Sequence, residues 1–168
     1  PSFFQVNTAQ AETMIQLVLD GLELDEESIV ADLYCGAGTF TLPLAKRCDF
    51  VYAVESAASS VRDLRRNMDA ANMTNIEVIG GDSARELPTL GELDALIVDP
   101  PRAGLAKGVV ESIAATGAKR VAYVSCDPAT WARDIARFKN AGYTLQNATP
   151  VDLFPQSFHV ETVSILQR

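Results

Sequence analysis

The sequence predicts an α/β domain with a mostly parallel sheet covered by helices on both faces. Short apolar runs rich in β-branched residues alternate with stretches of helical length and spacing. The runs end at acids, glycines or a cysteine, the usual punctuation of strand ends that face a ligand. The last two apolar runs follow one another with no helical stretch between them. Alternation of strand and helix implies parallel crossovers, and a closing pair of adjacent strands adds one antiparallel member.

The elements follow in order. Thr8 stands as a cap before a helix over about Ala9 to Gly21, with Met14, Leu17, Val18 and Leu22 at helical spacing. Ser28 to Tyr34 is apolar enough for a central strand, and Cys35-Gly-Ala-Gly-Thr39 turns it into a short helical run ending near Arg47. Phe50 to Val54 is a second strand ending at Glu55, followed by a helix over Ala57 to Asn72 with an arginine-rich outer face. Asn75 to Ile79 is a third, ending at Gly80-Gly81-Asp82. Leu93 to Val98 is a fourth, ending at Asp99-Pro100-Pro101-Arg102. A helix over about Ala106 to Thr116 leads to the strand Val121 to Ser125, which delivers Cys126 to its end. Pro128 opens the next helix, because a first-turn proline has no amide to leave unpaired, and Gly142 stops it. Tyr143 to Leu153 and His159 to Leu166 complete seven strands in a hairpin-like close.

A chain of 168 residues, 48% hydrophobic, fits one domain over residues 1–168 with a core able to stand alone. It starts at Pro1 and is expected to be the C-terminal catalytic part of a longer protein. Its three cysteines, Cys35, Cys48 and Cys126, have no metal-like spacing, so no metal is expected. Their odd number points to a reducing, cytoplasmic setting. Charges interrupt every apolar run, which argues against a membrane span. The formal charge of -8 is the wrong sign for a domain that grips phosphate backbones unaided.

Gly36-Ala37-Gly38 lets backbone approach a ligand closely, although Thr41 stands where a dinucleotide fingerprint has its third glycine. Glu55, 19 residues after Gly36, can accept hydrogen bonds from both hydroxyls of a ribose, and Asp82 can accept from an adenine amino group. Each acid can equally be a solvated strand end; as a set they favour a nucleoside ligand. No Lys or Arg lies between Asp32 and Leu44 to balance a pyrophosphate, which favours S-adenosylmethionine over a nicotinamide dinucleotide.

Cys126 by itself reads either as a packed thiol or as a nucleophile. A helix starting at Pro128 offers a positive dipole end to a thiolate, with Asp127 opposing it. His159 and Glu161 alternate onto one face of the last strand, and either can serve as acid or base. Cys35 and Cys48 carry no catalytic role.

Six segments, in order, resemble the RNA uracil-5 methyltransferase family: Ser2-Phe-Phe-Gln-Val-Asn7, Asp32 to Phe40, Asp99-Pro-Pro-Arg102, Ser125-Cys-Asp-Pro128, Phe154-Pro155 and His159-Val-Glu161. The resemblance covers nearly the whole chain. It implies a Rossmann-like class I methyltransferase catalytic domain that moves a methyl group from S-adenosylmethionine to carbon 5 of a uridine in ribosomal or transfer RNA. Cys126 matches the family's nucleophile and Glu161 its general base. Gln5, Tyr34, Thr39, Glu55, Asp82 and Asp99 fall at positions tied to the cofactor pocket or the target base, and Gly36 belongs to the cofactor turn. Phe3 and Phe4 are candidates for stacking. The family often carries an RNA-binding TRAM domain, and in some members an iron-sulfur cluster, in a region preceding the part matched here. Two other readings remain: a cytosine-5 methyltransferase, and a cofactor-binding module not competent on RNA by itself.

Overall fold

The computed structural model describes residues 8–153 and 160–168. Seven strands form one sheet in the order β3-β2-β1-β4-β5-β7-β6. They are β1 (Ile29–Leu33), β2 (Phe50–Glu55), β3 (Ile76–Gly80), β4 (Ala95–Val98), β5 (Arg120–Ser125), β6 (Thr144–Val151) and β7 (Glu161–Gln167). The first five pair in parallel, while β7 runs antiparallel to both neighbours, β5 and β6. This is the mostly parallel, seven-stranded sheet with an antiparallel last strand expected above.

Burial on both faces explains why the central strands read as continuous apolar runs. Alternate residues of each strand belong to two separate cores. Val30, Val51, Ala53, Ile97, Ala122, Val124 and Val163 pack beneath α1 (Thr8–Leu22), α2 (Thr41–Ala45) and α3 (Ala58–Ala70). Ala31, Leu33, Leu96, Val98, Val121 and Tyr123 pack beneath α5 (Val109–Ala115) and α6 (Pro128–Asn140). A one-residue slip of any strand would exchange these two sets, so the pattern fixes the register.

Element boundaries shift by a residue or two throughout, and four departures from the sequence reading bear on the fold. Thr8 lies within α1 rather than before it. The helix expected from Ala106 begins at Val109, because Gly108 takes a left-handed φ of 91° just ahead of it. The run expected to reach Arg47 ends as a helix at Ala45. Between Asp82 and Leu93, where no element was expected, the chain forms α4 (Ser83–Glu86) and a 3-10 turn at Leu87–Thr89. Leu87 and Leu90 of that segment are buried in the second core, so tertiary packing holds a segment whose sequence carries little periodicity. No described helix is long and apolar enough to cross a membrane.

Candidate active site

The carboxyl ends of β1, β2 and β3 are tied together by hydrogen bonds. Tyr34, just after β1, adopts a positive φ of 56°, a conformation that costs a non-glycine residue about 1–2 kcal/mol. Its amide is held by the Ser83 hydroxyl at 3.0 Å, and Ser83 donates in turn to the Val54 carbonyl. Ser83 therefore joins three strand ends. Gly36 and Gly38 have φ of 57° and 99°, and a Cβ at Gly38 would lie 2.4 Å from Leu64, so the turn demands glycine there.

Glu55 ends β2 with both oxygens already oriented. Oε1 accepts from the Gly36 amide and Oε2 from the Ala57 amide, each at 2.8 Å. Each oxygen keeps a lone pair for an incoming hydroxyl, as a ribose diol would supply. Asp82 is exposed at the N-cap of α4 without capping it, so its side chain points no acceptor at the helix amides. Thr39 is exposed on the glycine turn. These residues fit an adenosine group at the strand ends: a close backbone approach, a carboxylate with both oxygens fixed and an exposed acceptor.

The other end of the site lies across β1, β4, β5 and β7. Asp32 follows the Val30 side of the pleat, Asp99 the Ile97 side and Cys126 the Val124 side, which is the face covered by α1 and α2. Ser125 pairs with Thr162 in the antiparallel register. One residue beyond that pair on each strand stand Cys126 and Glu161, on the side of Val124 and Val163. The antiparallel β7 thus brings a residue 35 positions later to the thiol, which no short-range spacing indicates.

Like charge and burial govern the electrostatics here. Burial, with Glu161 and Asp32 nearby, pushes the Asp99 carboxyl up to about 8, so it holds a proton at neutral pH. Burial and Glu161 likewise push the Cys126 thiol up, opposed by the Arg102 guanidinium. The helix dipole gives the thiol less help than the sequence implied. Asp127 itself caps α6, accepting from the Ala129 amide at 2.9 Å and the Thr130 amide at 3.1 Å. Those amides and Arg102 hold its carboxyl below the usual range. The cationic end of α6 is therefore taken by Asp127, and Arg102 is the cation that favours the thiolate.

An apolar cavity of about 250 Å³ reaches Cys126 from the α6 side of the sheet, between Trp131, Pro150 and Thr162. It is an approach to the thiol distinct from the face that carries Asp99.

Of the residues singled out from the sequence, Tyr34, Gly36, Thr39, Glu55 and Asp82 collect at the β1–β3 ends, while Asp99, Cys126 and Glu161 collect at the β4–β5–β7 ends. Gln5, Phe3, Phe4, Phe154, Pro155 and His159 lie outside the described residues. Sequence reasoning missed three contributors. Ser83 is one. The second is the pair Asp32 and Thr41, whose side chains meet at 2.6 Å. The third is Asp134 on α6, fully buried, which accepts from the Tyr123 hydroxyl at 2.5 Å, the Leu105 amide at 2.9 Å and the guanidinium groups of Arg133 and Arg137. Arg133 also donates to the Ala103 carbonyl, and Thr130 to the Arg102 carbonyl, so α6 clamps the loop that follows Asp99. A Cβ on Gly104 would lie 2.5 Å from Arg133 and 2.6 Å from Asp134, so the clamp accepts only glycine there. A buried acid inside an otherwise amphipathic helix was the available signal for Asp134; the other two have none.

Residues 1–90 and 89–168 match the family model described as tRNA (Uracil-5-)-methyltransferase. An uncharacterized RNA methyltransferase of Gloeobacter violaceus is 43% identical over 167 residues, 99% of this chain and 36% of that protein. One of Caldanaerobacter subterraneus subsp. tengcongensis is 39% identical over 171 residues, covering 99% of this chain and 38% of its own length. The solved tRNA (uracil-54, C5)-methyltransferase of Pyrococcus abyssi, in complex with S-adenosyl-L-homocysteine, is 36% identical with a TM-score of 0.81, over 98% of this chain and 40% of that one. The chain thus spans about two-fifths of the length of these relatives.

Proposed function

Because this chain belongs to the tRNA (uracil-5-)-methyltransferase family, we propose that it is the catalytic domain that transfers a methyl group from S-adenosylmethionine to carbon 5 of a uridine in transfer or ribosomal RNA. The observation that carries the reading is the meeting of Cys126 and Glu161 on one sheet face beside Asp99. When bound, S-adenosylmethionine supplies an electrophilic methyl group on a sulfonium. Glu55 accepts the ribose hydroxyls, Asp82 faces the adenine amino group, and the turn at Gly36 keeps side-chain bulk away from the ligand.

Carbon 5 of uracil is a weak nucleophile. Addition of the Cys126 thiolate to carbon 6 turns the ring into an enolate whose carbon 5 takes the methyl group. Asp99, holding a proton at neutral pH, donates to a uracil carbonyl oxygen and stabilises the charge that develops there. Arg102 favours the thiolate before addition. Glu161 then removes the hydrogen still on carbon 5, and the electron pair of that bond restores the ring double bond as the bond from sulfur to carbon 6 breaks. The thiolate is returned and the carboxyl passes its proton to solvent. The base has to leave its stack to reach this cleft.

Incubation with labelled S-adenosylmethionine and RNA, followed by nucleoside analysis, tests the proposal. The expected product is 5-methyluridine. A 5-methylcytidine product transfers the chain to the cytosine reading. Cofactor binding with no methyl transfer at low salt supports the reading of a module that needs further parts to act on RNA.

A further inference from the structure

The chain carries 22 acidic residues against 14 basic ones, yet its cations are not spread evenly. Residues 100–108, the loop after β4, hold Arg102 and Lys107 and no acid, and α6 holds Arg133, Arg137 and Lys139 against one acid, Asp134. Asp134 is fully buried, so it fixes two arginines without presenting its own charge to solvent. Arg133 and Arg137 stand one helical turn apart, about 6 Å along the axis, which is comparable to the separation of consecutive phosphates on a strand. Both are held from behind. Arg133 donates to the Ala103 and Leu105 carbonyls at 2.8 and 3.3 Å, and Arg137 to the Leu105 carbonyl at 3.1 Å. Their side chains nevertheless remain 42% and 35% exposed, and a guanidinium has more N–H donors than these bonds use. Lys107 is exposed two residues beyond Leu105. Arg102 stands at the other end of the loop, acting on the Cys126 thiol and lying 3.8 Å from Asp127. The acids on the adjoining elements are Asp127, engaged as the cap of α6, and Glu111 on α5. The arginines of α3, by contrast, share their helix with Asp63 and Asp69, and Arg66 pairs with Asp63 at 3.2 Å.

We propose that Arg133, Arg137 and Lys107 form a phosphate-binding ridge that holds the RNA strand on one side of the target uridine and leads it to the thiol. The inference rests on RNA as the substrate of this chain, and it assigns to α6 and the loop before α5 a backbone contact that the chemistry at Cys126 does not itself require. Guanidinium groups already fixed by carbonyls and a buried carboxylate lose little freedom on meeting a phosphate, and their planar fork matches two of its oxygens at once. Lys107 adds a point charge on a flexible stem. Groups of this kind read phosphate and not base, so they set the position of the strand and leave the choice of uridine to other surfaces. An acidic chain can hold RNA in this way because exposed charges are screened beyond about 8 Å at physiological salt, so the local excess of cations governs and the total of -8 does not.

Fluorescence anisotropy with a labelled single-stranded oligouridylate, repeated over a series of salt concentrations, tests the proposal on three forms of the chain: unaltered, Lys107→Gln with Arg137→Gln, and Arg62→Gln with Arg65→Gln on α3. The ridge variant is expected to bind about tenfold more weakly at low salt, with the slope of log affinity against log salt shallower by about 1.4, the worth of two lost phosphate contacts. Lys107→Gln alone, which leaves every bond of the α6 clamp in place, should remove about half of that slope. The α3 variant should stay within about twofold of the unaltered chain, and all forms should bind S-adenosylhomocysteine equally. In methyl-transfer assays the ridge variant should raise KM for RNA and leave kcat unchanged. Equal RNA affinity and slope in the ridge variant and the unaltered chain, a loss confined to the α3 variant, or no RNA binding by the unaltered chain at low salt overturns the proposal. Ridge-dependent RNA binding without formation of 5-methyluridine supports the ridge and counts against the proposed reaction instead.

Discussion

The ends of β1, β2 and β3 are closed by hydrogen bonds made before any ligand arrives, whereas the ends of β4, β5 and β7 gather acids and a thiol that raise one another's proton affinity. At the first region Glu55 is fixed by the Gly36 and Ala57 amides, and Ser83 holds the strained Tyr34. At the second, Asp99 is pushed up to about 8 and the Cys126 thiol is also raised. The first region is a prebuilt cradle, which suits recognition of a rigid nucleoside at low reorganisation cost. The second stores unfavourable electrostatics, which suits groups that must exchange protons during a reaction.

The α6 clamp is the point where the second region borrows the solidity of the first. Asp134→Ala should lower stability by about 3–5 kcal/mol, since it leaves Arg133, Arg137 and the Tyr123 hydroxyl without their shared acceptor. Denaturant unfolding measures this, and a loss under 1 kcal/mol would remove the clamp from the account.

Asp32→Asn should act in the opposite direction and only at high pH. The folded carboxyl sits near 7 against an ordinary 3.8, so the folded state binds a proton that the unfolded state gives up between those values. The contribution of Asp32 to stability is therefore greatest below about 4 and is lost as pH rises through 7. The asparagine variant is expected to be more stable by roughly 2–4 kcal/mol at pH 8, with the gap closing near pH 4. Thermal melts across that range would show a constant gap if Asp32 were already ionised throughout.

Glu55→Gln keeps the shape of the cradle but loses its charge. Affinity for S-adenosylhomocysteine should fall about 10–100-fold, the worth of one or two charge-assisted hydrogen bonds. Ser83→Ala is the smallest change, about 1 kcal/mol of stability, because it removes one bond to Tyr34 and one to Val54 at the surface of the core. If Ser83→Ala weakened cofactor binding more than Glu55→Gln, the cradle would be held by Tyr34 rather than by the carboxylate.

The same contrast explains what the sequence made legible. The cradle was readable because its parts follow a parallel α/β rule: a glycine turn after the first strand, an acid after the second and another after the third. Cys126 was readable for the same reason, as the residue at which a β-branched run stops. The pairing of Cys126 with Glu161 was not, since it depends on β7 entering the sheet antiparallel between β5 and β6, and only the family resemblance singled Glu161 out. Asp32 looked like an ordinary strand residue, as its significance arises from burial. Besides its neighbours Arg133 and Arg137, Asp134 acts through Tyr123 and Leu105, and Ser83 through Val54 and Tyr34, partners 11 to 49 residues away in sequence and beyond the reach of local pattern. The charge of -8 described the chain as a whole and concealed that cations such as Arg102, Arg133 and Arg137 collect along the loop after β4 and on α6.

The central claim is that Cys126 is a covalent nucleophile working against Glu161 on one pyrimidine. Intact-mass analysis after incubation with 5-fluorouridine RNA and S-adenosylmethionine tests it most directly, because fluorine at carbon 5 cannot leave as a proton and elimination stalls. A stable protein–RNA adduct carrying the transferred methyl group is expected, absent in Cys126→Ala while that variant still binds S-adenosylhomocysteine. Turnover of ordinary uridine RNA by Cys126→Ala, or an adduct that forms without this thiol, would contradict the account.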